Sequence, residues 1–278
     1  MKIRIAEYCG FCYGVKRAVD MAYKLAEANE ASGTLGPLIH NPQLIEDLNT
    51  KGVPCRESLD EFQAGETVVF RSHGVGPDVY EAAHAKNLTI LDATCPNVKA
   101  AQKKGQALAE AGYLPVIIGE KNHPEVKSIV QWAGKHAIVI ECIKDIGNVP
   151  LVDKYGVLIQ TTFELAKFEE ILAALQKERS GEYKIEKTIC LATSQRQKAA
   201  LKLADAFVVI GGRNSANTRH LYELVAEHCK RAYHIETASE LNEEMFKNCQ
   251  NIGITAGAST PDRIIKEAIR VMENMESF

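Results

Sequence analysis

Cys12, Cys95 and Cys190 are the residues of this sequence with the clearest capacity for chemistry. They are 83 and 95 residues apart, whereas a small zinc module takes its ligands from closely spaced pairs. These thiols can therefore meet only through folding. Three thiolates would leave one coordination position of a metal centre open for a substrate. Soft thiolate ligands favour an iron–sulfur cluster or zinc over hard cations, and both stay open at this point, with iron–sulfur modestly favoured.

A fourth thiol complicates this interpretation. Cys9 and Cys12 form a Cys-x-x-Cys motif between a strand-like run and a helical pattern, which is also the setting of a thioredoxin-type redox pair. A thiol–disulfide oxidoreductase using Cys9 and Cys12 is thus the alternative enzyme class, although it leaves Cys95 and Cys190 without a role. We expect the other four cysteines to be small buried side chains, namely Cys55, Cys142, Cys229 and Cys249.

Two polar positions follow each of the three separated cysteines. The first lies 25 to 28 residues after the cysteine, at His40, His123 and Ser215. The second lies 61 to 69 residues after it, at His73, Thr161 and Ser259. Each follows an apolar run and precedes a helical pattern, and loops that open helices present backbone N–H groups to phosphate. Imidazoles, hydroxyls and the amide of Asn217 are compact donors, so the set predicts an anion site.

Glu125 is the one carboxylate set beside these positions, two residues after His123. A carboxyl group in a closed site near a cluster can hold a proton at neutral pH, so a general-acid role is physically sensible. Taken alone, the same motif would describe an exposed glutamate at the start of a helix.

Alternating strand and helix patterns must position these residues. Three segments begin with a strand-like run, reach a cysteine and continue with apolar residues at helical spacing, such as Val15 and Val19. This alternation predicts three similar parallel α/β units, with ligands at the carboxyl ends of the strands. We expect the polar segment 176–187 to be a connector. The expected domains are 13–95, 96–190 and 191–278, the last including the opening strand within 1–12.

The composition excludes several other classes of protein. With 46% hydrophobic residues, 25% charged residues and a net charge of −3, the chain has no positive field that would attract nucleic acid or an anionic membrane. No apolar run reaches membrane-spanning length, and the opening residues lack an apolar leader. We therefore expect a cytoplasmic protein in a reducing compartment, where eight cysteines are not a disulfide scaffold.

Nine motifs in order, between residues 10 and 262, resemble the LytB family of 4-hydroxy-3-methylbut-2-enyl diphosphate reductases. They are GFCYGV, LGPLIHNP, RSHGV, DATCP, GEKNHPE, QTT, ATSQRQ, NSANT and TAGASTPD. The resemblance implies a trefoil of three small α/β domains with mainly parallel sheets around a central iron–sulfur cluster. It also implies the last step of the non-mevalonate isoprenoid pathway, a reductive removal of the substrate's allylic hydroxyl.

The resemblance further implies a role for each candidate residue. Cys12, Cys95 and Cys190 would hold one [4Fe-4S] cluster per chain, with one iron open to the substrate. Glu125 would deliver a proton, and Thr161 would help to position the substrate and relay protons. Ferredoxin or flavodoxin would supply the electrons. The diphosphate would be bound by His40, His73, His123, Ser215, Asn217 and Ser259.

Two features depart from the family pattern. The anion loop usually reads Asn-Ser-Ser-Asn, whereas here Ala216 replaces the second serine, so one hydroxyl donor is missing. Cys9 is not one of the family's usual ligands. We expect it to be a neighbour of the cluster, because a fourth thiolate would close the open position.

Overall fold

The computed structural model describes residues 2–200 and 204–275, and their strands form three four-stranded sheets. Neighbouring strands are parallel in all three sheets. The expected fold class, α/β with three units built on parallel sheets, is confirmed.

Strands and helices alternate along almost the whole chain. The strands are β1 (Lys2–Ile5), β2 (Ser32–Leu35), β3 (Cys55–Arg56), β4 (Thr67–Phe70), β5 (Thr89–Asp92), β6 (Leu114–Ile118), β7 (Ile138–Ile140), β8 (Lys154–Ile159), β9 (Glu182–Glu186), β10 (Ala206–Ile210), β11 (Ala232–Ile235) and β12 (Asn251–Ala256). The α-helices are α1 (Tyr13–Glu27), α2 (Pro42–Thr50), α3 (Pro77–Ala85), α4 (Pro96–Glu110), α5 (Pro124–Ala133), α6 (Leu165–Glu178), α7 (Leu191–Ala200), α8 (Ala216–His228) and α9 (Asp262–Asn274).

All three sheets have the same strand order relative to the predicted site residues. The orders are β3-β2-β4-β5, β7-β6-β8-β9 and β11-β10-β12-β1. In each sheet one edge strand leads to a cysteine: β5 to Cys95, β9 to Cys190 and β1 to Cys12. The two inner strands lead to the two polar positions. The opening strand β1 pairs with β12, with Lys2 opposite Asn251.

Apolar sequence runs explain why these segments form buried strands and covering helices. In β4, Val68, Val69 and Phe70 are fully buried, as expected for a parallel strand covered on both faces. Helix α9 buries Ile264 and Ala268, four residues apart on one face. The segment 176–187 is not a connector, since it contains the end of α6 and all of β9. Its polar composition reflects the position of β9 at the edge of its sheet.

The described residues fall into two compact units. Unit 1 consists of 2–16, 40–44, 191–200 and 204–275, and contains the sheet β11-β10-β12-β1. Unit 2 consists of Arg17–Ile39 and Ile45–Cys190, and contains the other two sheets. The division into three domains at residues 95 and 190 stays a prediction. Within the described part of the chain, no helix has the length and apolar character needed to cross a membrane.

Candidate active site

The residues predicted to form the site lie between the end of a strand and the start of a helix, except Glu125 and Asn217, which lie in the first turns of α5 and α8. The loops after β1, β5 and β9 carry the three cysteines. The loops after the inner strands carry His40, His73, His123, Thr161, Ser215 and Ser259. Parallel strands expose their carboxyl ends on one edge of the sheet, where ligands of α/β proteins bind.

Each of the three cysteines makes an equivalent backbone hydrogen bond, which the sequence does not reveal. The N–H of Cys12 donates to Ala258 O at 3.3 Å, that of Cys95 to Ser72 O at 2.9 Å, and that of Cys190 to Thr161 O at 3.0 Å. Ala258 and Ser72 directly precede the polar residues Ser259 and His73, and Thr161 is itself the polar residue. Each acceptor therefore lies in the loop after the strand next to the one that leads to the cysteine. The backbone of each cysteine is thus fixed to the loop that carries Ser259, His73 or Thr161.

All eight cysteines lie in the described part of the chain and none of them is in a disulfide, and the three candidate ligands are partly exposed. Each lies directly before a helix: Cys12 before α1, Cys95 as the N-cap residue of α4 and Cys190 before α7. The expectation that the other cysteines are buried is wrong, because Cys142 is exposed and Cys55, Cys229 and Cys249 are partly exposed.

Cys9 differs from these three thiols in its surroundings. It packs against the apolar core formed by β10, β12 and α9. Burial raises the pKa of the Cys9 thiol to about 12, with Arg196 acting in the opposite direction. A thiol with such a pKa is protonated at neutral pH and is a poor nucleophile.

In unit 2, Glu125 and Thr161 form a buried pair. The Glu125 carboxylate accepts a hydrogen bond from the Thr161 backbone N–H at 2.6 Å and another from Thr161 Oγ1 at 2.8 Å. Only 2% of Glu125 is exposed. Burial raises the pKa of the Glu125 carboxyl to about 7, although both bonds from Thr161 lower it. The group can therefore hold or release a proton near neutral pH.

Two imidazoles lie beside this pair. The rings of His73 and His123 meet edge to face with their centroids 5.5 Å apart. His123 is the N-cap residue of α5, and its Nδ1 accepts from the Glu125 backbone N–H at 3.2 Å. In a neutral ring the proton is therefore on Nε2. Sequence reasoning missed Ser128, whose Oγ donates to His73 O at 3.0 Å and Glu125 O at 2.8 Å.

In unit 1, hydroxyl and amide donors gather at the start of α8. Ser215 caps this helix, and its Oγ accepts from Thr218 N at 3.4 Å. Ser259 Oγ donates to Ser215 Oγ at 3.3 Å and lies 3.5 Å from His40 O. The side chain of Asn217 is buried, and among the described residues its Nδ2 has no acceptor.

A buried amide without an acceptor is costly, and a helix N-terminus with such donors suits an anion. Ala216 is also buried at the start of α8, so the side chain at this position adds no donor to the set.

These features describe an α/β enzyme with three cysteines and a set of hydrogen-bond donors after its strands, and with a buried carboxyl group. The chain belongs to the LytB family, whose model matches residues 3–273. Two relatives named 4-hydroxy-3-methylbut-2-enyl diphosphate reductase are those of Citrifermentans bemidjiense and Aquifex aeolicus. The first is 43% identical over 97% of this chain and 96% of its own, and the second is 45% identical over 95% and 93%.

Solved structures are also similar to this chain. One, described as (E)-4-hydroxy-3-methyl-but-2-enyl diphosphate reductase, the terminal enzyme of the non-mevalonate pathway, is 42% identical with a TM-score of 0.75, covering 98% of this chain and 99% of the other. The reductase from Plasmodium falciparum is 26% identical with a TM-score of 0.91, covering 98% and 88%.

Proposed function

We propose that this enzyme reduces 4-hydroxy-3-methylbut-2-enyl diphosphate to isopentenyl and dimethylallyl diphosphate. Membership of the LytB family and the names of relatives above 40% identity over nearly the whole chain support this reaction. In this reaction the allylic C–O bond breaks, two electrons and two protons are consumed, and the oxygen leaves as one water molecule. Ferredoxin or flavodoxin is the proposed source of the electrons.

Cys12, Cys95 and Cys190 are the proposed ligands of a [4Fe-4S] cluster. Iron–sulfur chemistry is a feature of the LytB family. The residues fit this role because they are outside any disulfide, are partly exposed and lie directly before helices. When bound, the cluster would supply electrons and one iron without a protein ligand. Cys9 is not part of the proposed set, and its packing against the core supports leaving it out.

Glu125 is the proposed proton donor. The protonated carboxyl would give its proton to the substrate's oxygen, directly or through the Thr161 hydroxyl that it contacts, so that the oxygen leaves as water. Two hydrogen bonds hold the backbone of Glu125 in place. The Ser128 hydroxyl donates to the Glu125 carbonyl, and the Glu125 N–H donates to Nδ1 of His123. A pKa of about 7 makes the proton available at neutral pH.

The diphosphate is the proposed ligand of the hydroxyl, amide and imidazole donors. Ser215, Ser259 and Asn217 lie at the N-terminus of α8 or beside it, where backbone N–H groups and the helix dipole favour an anion. His40, His73 and His123 complete the proposed set. These groups would hydrogen-bond the diphosphate without a lysine clamp.

The observation that carries the proposal is the buried Glu125–Thr161 pair in a member of this family. The test is the visible spectrum and turnover of anaerobically reconstituted Glu125→Gln. We expect the cluster band to be kept, the diphosphate to perturb it as in the wild type, and turnover to be lost. Normal turnover would remove Glu125 from its proposed role.

The thiol–disulfide alternative lacks support. The family model and the named relatives belong to a different reaction, and the high pKa of Cys9 opposes exchange chemistry. That mechanism would require Cys9→Ser to abolish activity while Cys190→Ser leaves it intact. Our proposal predicts the opposite pair of results.

A further inference from the structure

We propose that Arg17 and Arg196 are positioning residues that fix the loops carrying Cys95 and Cys12. The inference rests on the proposed function, because it matters only if these cysteines hold a cluster. Neither arginine belongs to the proposed ligand, acid or diphosphate sets. Each is instead attached to the backbone just before a cysteine.

Arg17 lies in α1, five residues after Cys12. Its Nη1 donates to Thr94 O and its Nη2 to Asp92 O, both at 3.3 Å. These carbonyls precede Cys95 by one and three residues. A guanidinium is a rigid fork with fixed donor directions, so the two bonds together hold the short turn between β5 and Cys95.

Other contacts stiffen the same turn. The Asp92 carboxylate accepts from the backbone N–H of Thr94 at 2.9 Å and from the Tyr80 hydroxyl at 2.7 Å. Lys99 Nζ lies 2.5 Å from the same carboxylate. The segment before Cys95 is thus fixed through both its side chain and its carbonyl groups, and Arg17 supplies the carbonyl contacts.

Arg196 plays the corresponding part in unit 1. It lies in α7, six residues after Cys190, and is 4% exposed. Its Nη2 donates to Gly10 O at 2.6 Å and its Nη1 to Ala192 O at 3.1 Å. Gly10 stands two residues before Cys12 and has a φ of +88°. A side chain there would be strained and would meet Ile265 Cδ1 at 3.0 Å, so the loop before Cys12 requires glycine at this position.

The third helix that follows a cysteine repeats the pattern more weakly. Lys104 of α4 forms an ion pair of 2.8 Å with Glu186, four residues before Cys190, and its side chain is 42% exposed. Exposed pairs contribute little. The three contacts nevertheless follow one pattern. In each, a basic side chain from the helix after one cysteine contacts the segment before a different cysteine. This regularity distinguishes the contacts from incidental surface pairing.

The test compares Arg17→Gln and Arg196→Gln with the wild type, all full length and anaerobically reconstituted. The readout is the rate at which the visible cluster band bleaches in oxygen-free buffer containing an iron chelator, with the unfolding midpoint measured on the same samples. Arg179→Gln is a matched control. Its Nε and Nη2 donate to Val149 O at 2.8 Å and Ile146 O at 2.6 Å, away from any of the three cysteines. Arg17→Lys and Arg196→Lys keep one charged donor.

We expect the two glutamine variants to bleach roughly tenfold faster than the wild type, as for the loss of one charge-assisted hydrogen bond. The lysine variants should fall between the two rates, and they supply the measurement if a glutamine variant does not fold. Arg179→Gln should bleach at the wild-type rate even where its unfolding midpoint drops. Equal bleaching of Arg17→Gln, Arg196→Gln and the wild type, or equal acceleration in Arg179→Gln, would overturn the inference. A wild-type protein without the band would overturn the proposed function instead.

Discussion

Replacement of Thr161 by valine should raise the pKa of Glu125 above its present value of about 7. Two hydrogen bonds from Thr161 stabilise the ionised carboxylate, one from the backbone N–H and one from Oγ1. Burial acts against them and is the larger influence. Valine keeps the shape of the side chain and the backbone bond, and it removes only the hydroxyl.

The size of the shift follows from the bond that is lost. A hydrogen bond to a charged group contributes about 1.5–3 kcal/mol. One pKa unit corresponds to about 1.4 kcal/mol. The pKa of Glu125 in Thr161→Val should therefore rise by roughly one to two units.

The assay is the pH dependence of turnover with an artificial electron donor. Because the protonated carboxyl gives the proton, the rate should fall as pH rises through the pKa of Glu125. The falling limb should move to higher pH by roughly one unit or more in Thr161→Val. Thr161→Ser, which keeps a hydroxyl, should retain a limb near the wild-type position. A limb that stays in place in Thr161→Val would refute this account of the pair.

Three further predictions concern Glu125, Asn217 and Cys9. In the wild type the raised pKa of Glu125 means that the folded state binds its proton more tightly than the unfolded chain. Stability should therefore decline as pH rises from about 4.5 to about 7, by up to about 3 kcal/mol, and urea unfolding of Glu125→Gln should lack this decline. An equally steep decline in Glu125→Gln would assign the effect to another group. Asn217→Ala should raise the KM for the diphosphate roughly tenfold with little change in kcat. The control Asn214→Ala, at an exposed residue, should leave both KM and kcat unchanged. An unaltered KM in Asn217→Ala would argue against a role of Asn217 in binding the diphosphate. Cys9→Ser should keep the visible cluster band and Cys95→Ser should lose it, and bleaching of both would place Cys9 among the ligands.

The sequence was most informative where one pattern recurs three times. Apolar runs followed by Cys95, His73 or His123 and then by a helical pattern were sufficient to predict parallel α/β units, because both periodicities are local properties. Pro96 and Pro124 also occupy first helical turns, a position that suits proline. The polar composition of β9 predicts a connector rather than a strand, because an edge strand needs few apolar residues.

Contacts between distant segments were not predictable. Glu125 and Thr161 are 36 residues apart in sequence, and their pairing depends on β6 and β8 being neighbours in the sheet. Arg17 and Arg196 appear in the sequence as ordinary helix residues. Their bonds to Thr94 and Gly10 require the loops of other strands to fold against them. The exposure of Cys142 likewise depends on the tertiary structure rather than on residue type.

The central claim is that a cluster held by Cys12, Cys95 and Cys190 acts on an allylic diphosphate. The most direct measurement is the anaerobic visible spectrum of the reconstituted protein, together with its iron content, before and after addition of 4-hydroxy-3-methylbut-2-enyl diphosphate. We predict an iron–sulfur band that the diphosphate perturbs, and that is absent from each of the three Cys→Ser variants. A band that survives in any of these variants, or that does not respond to the diphosphate, would contradict the claim.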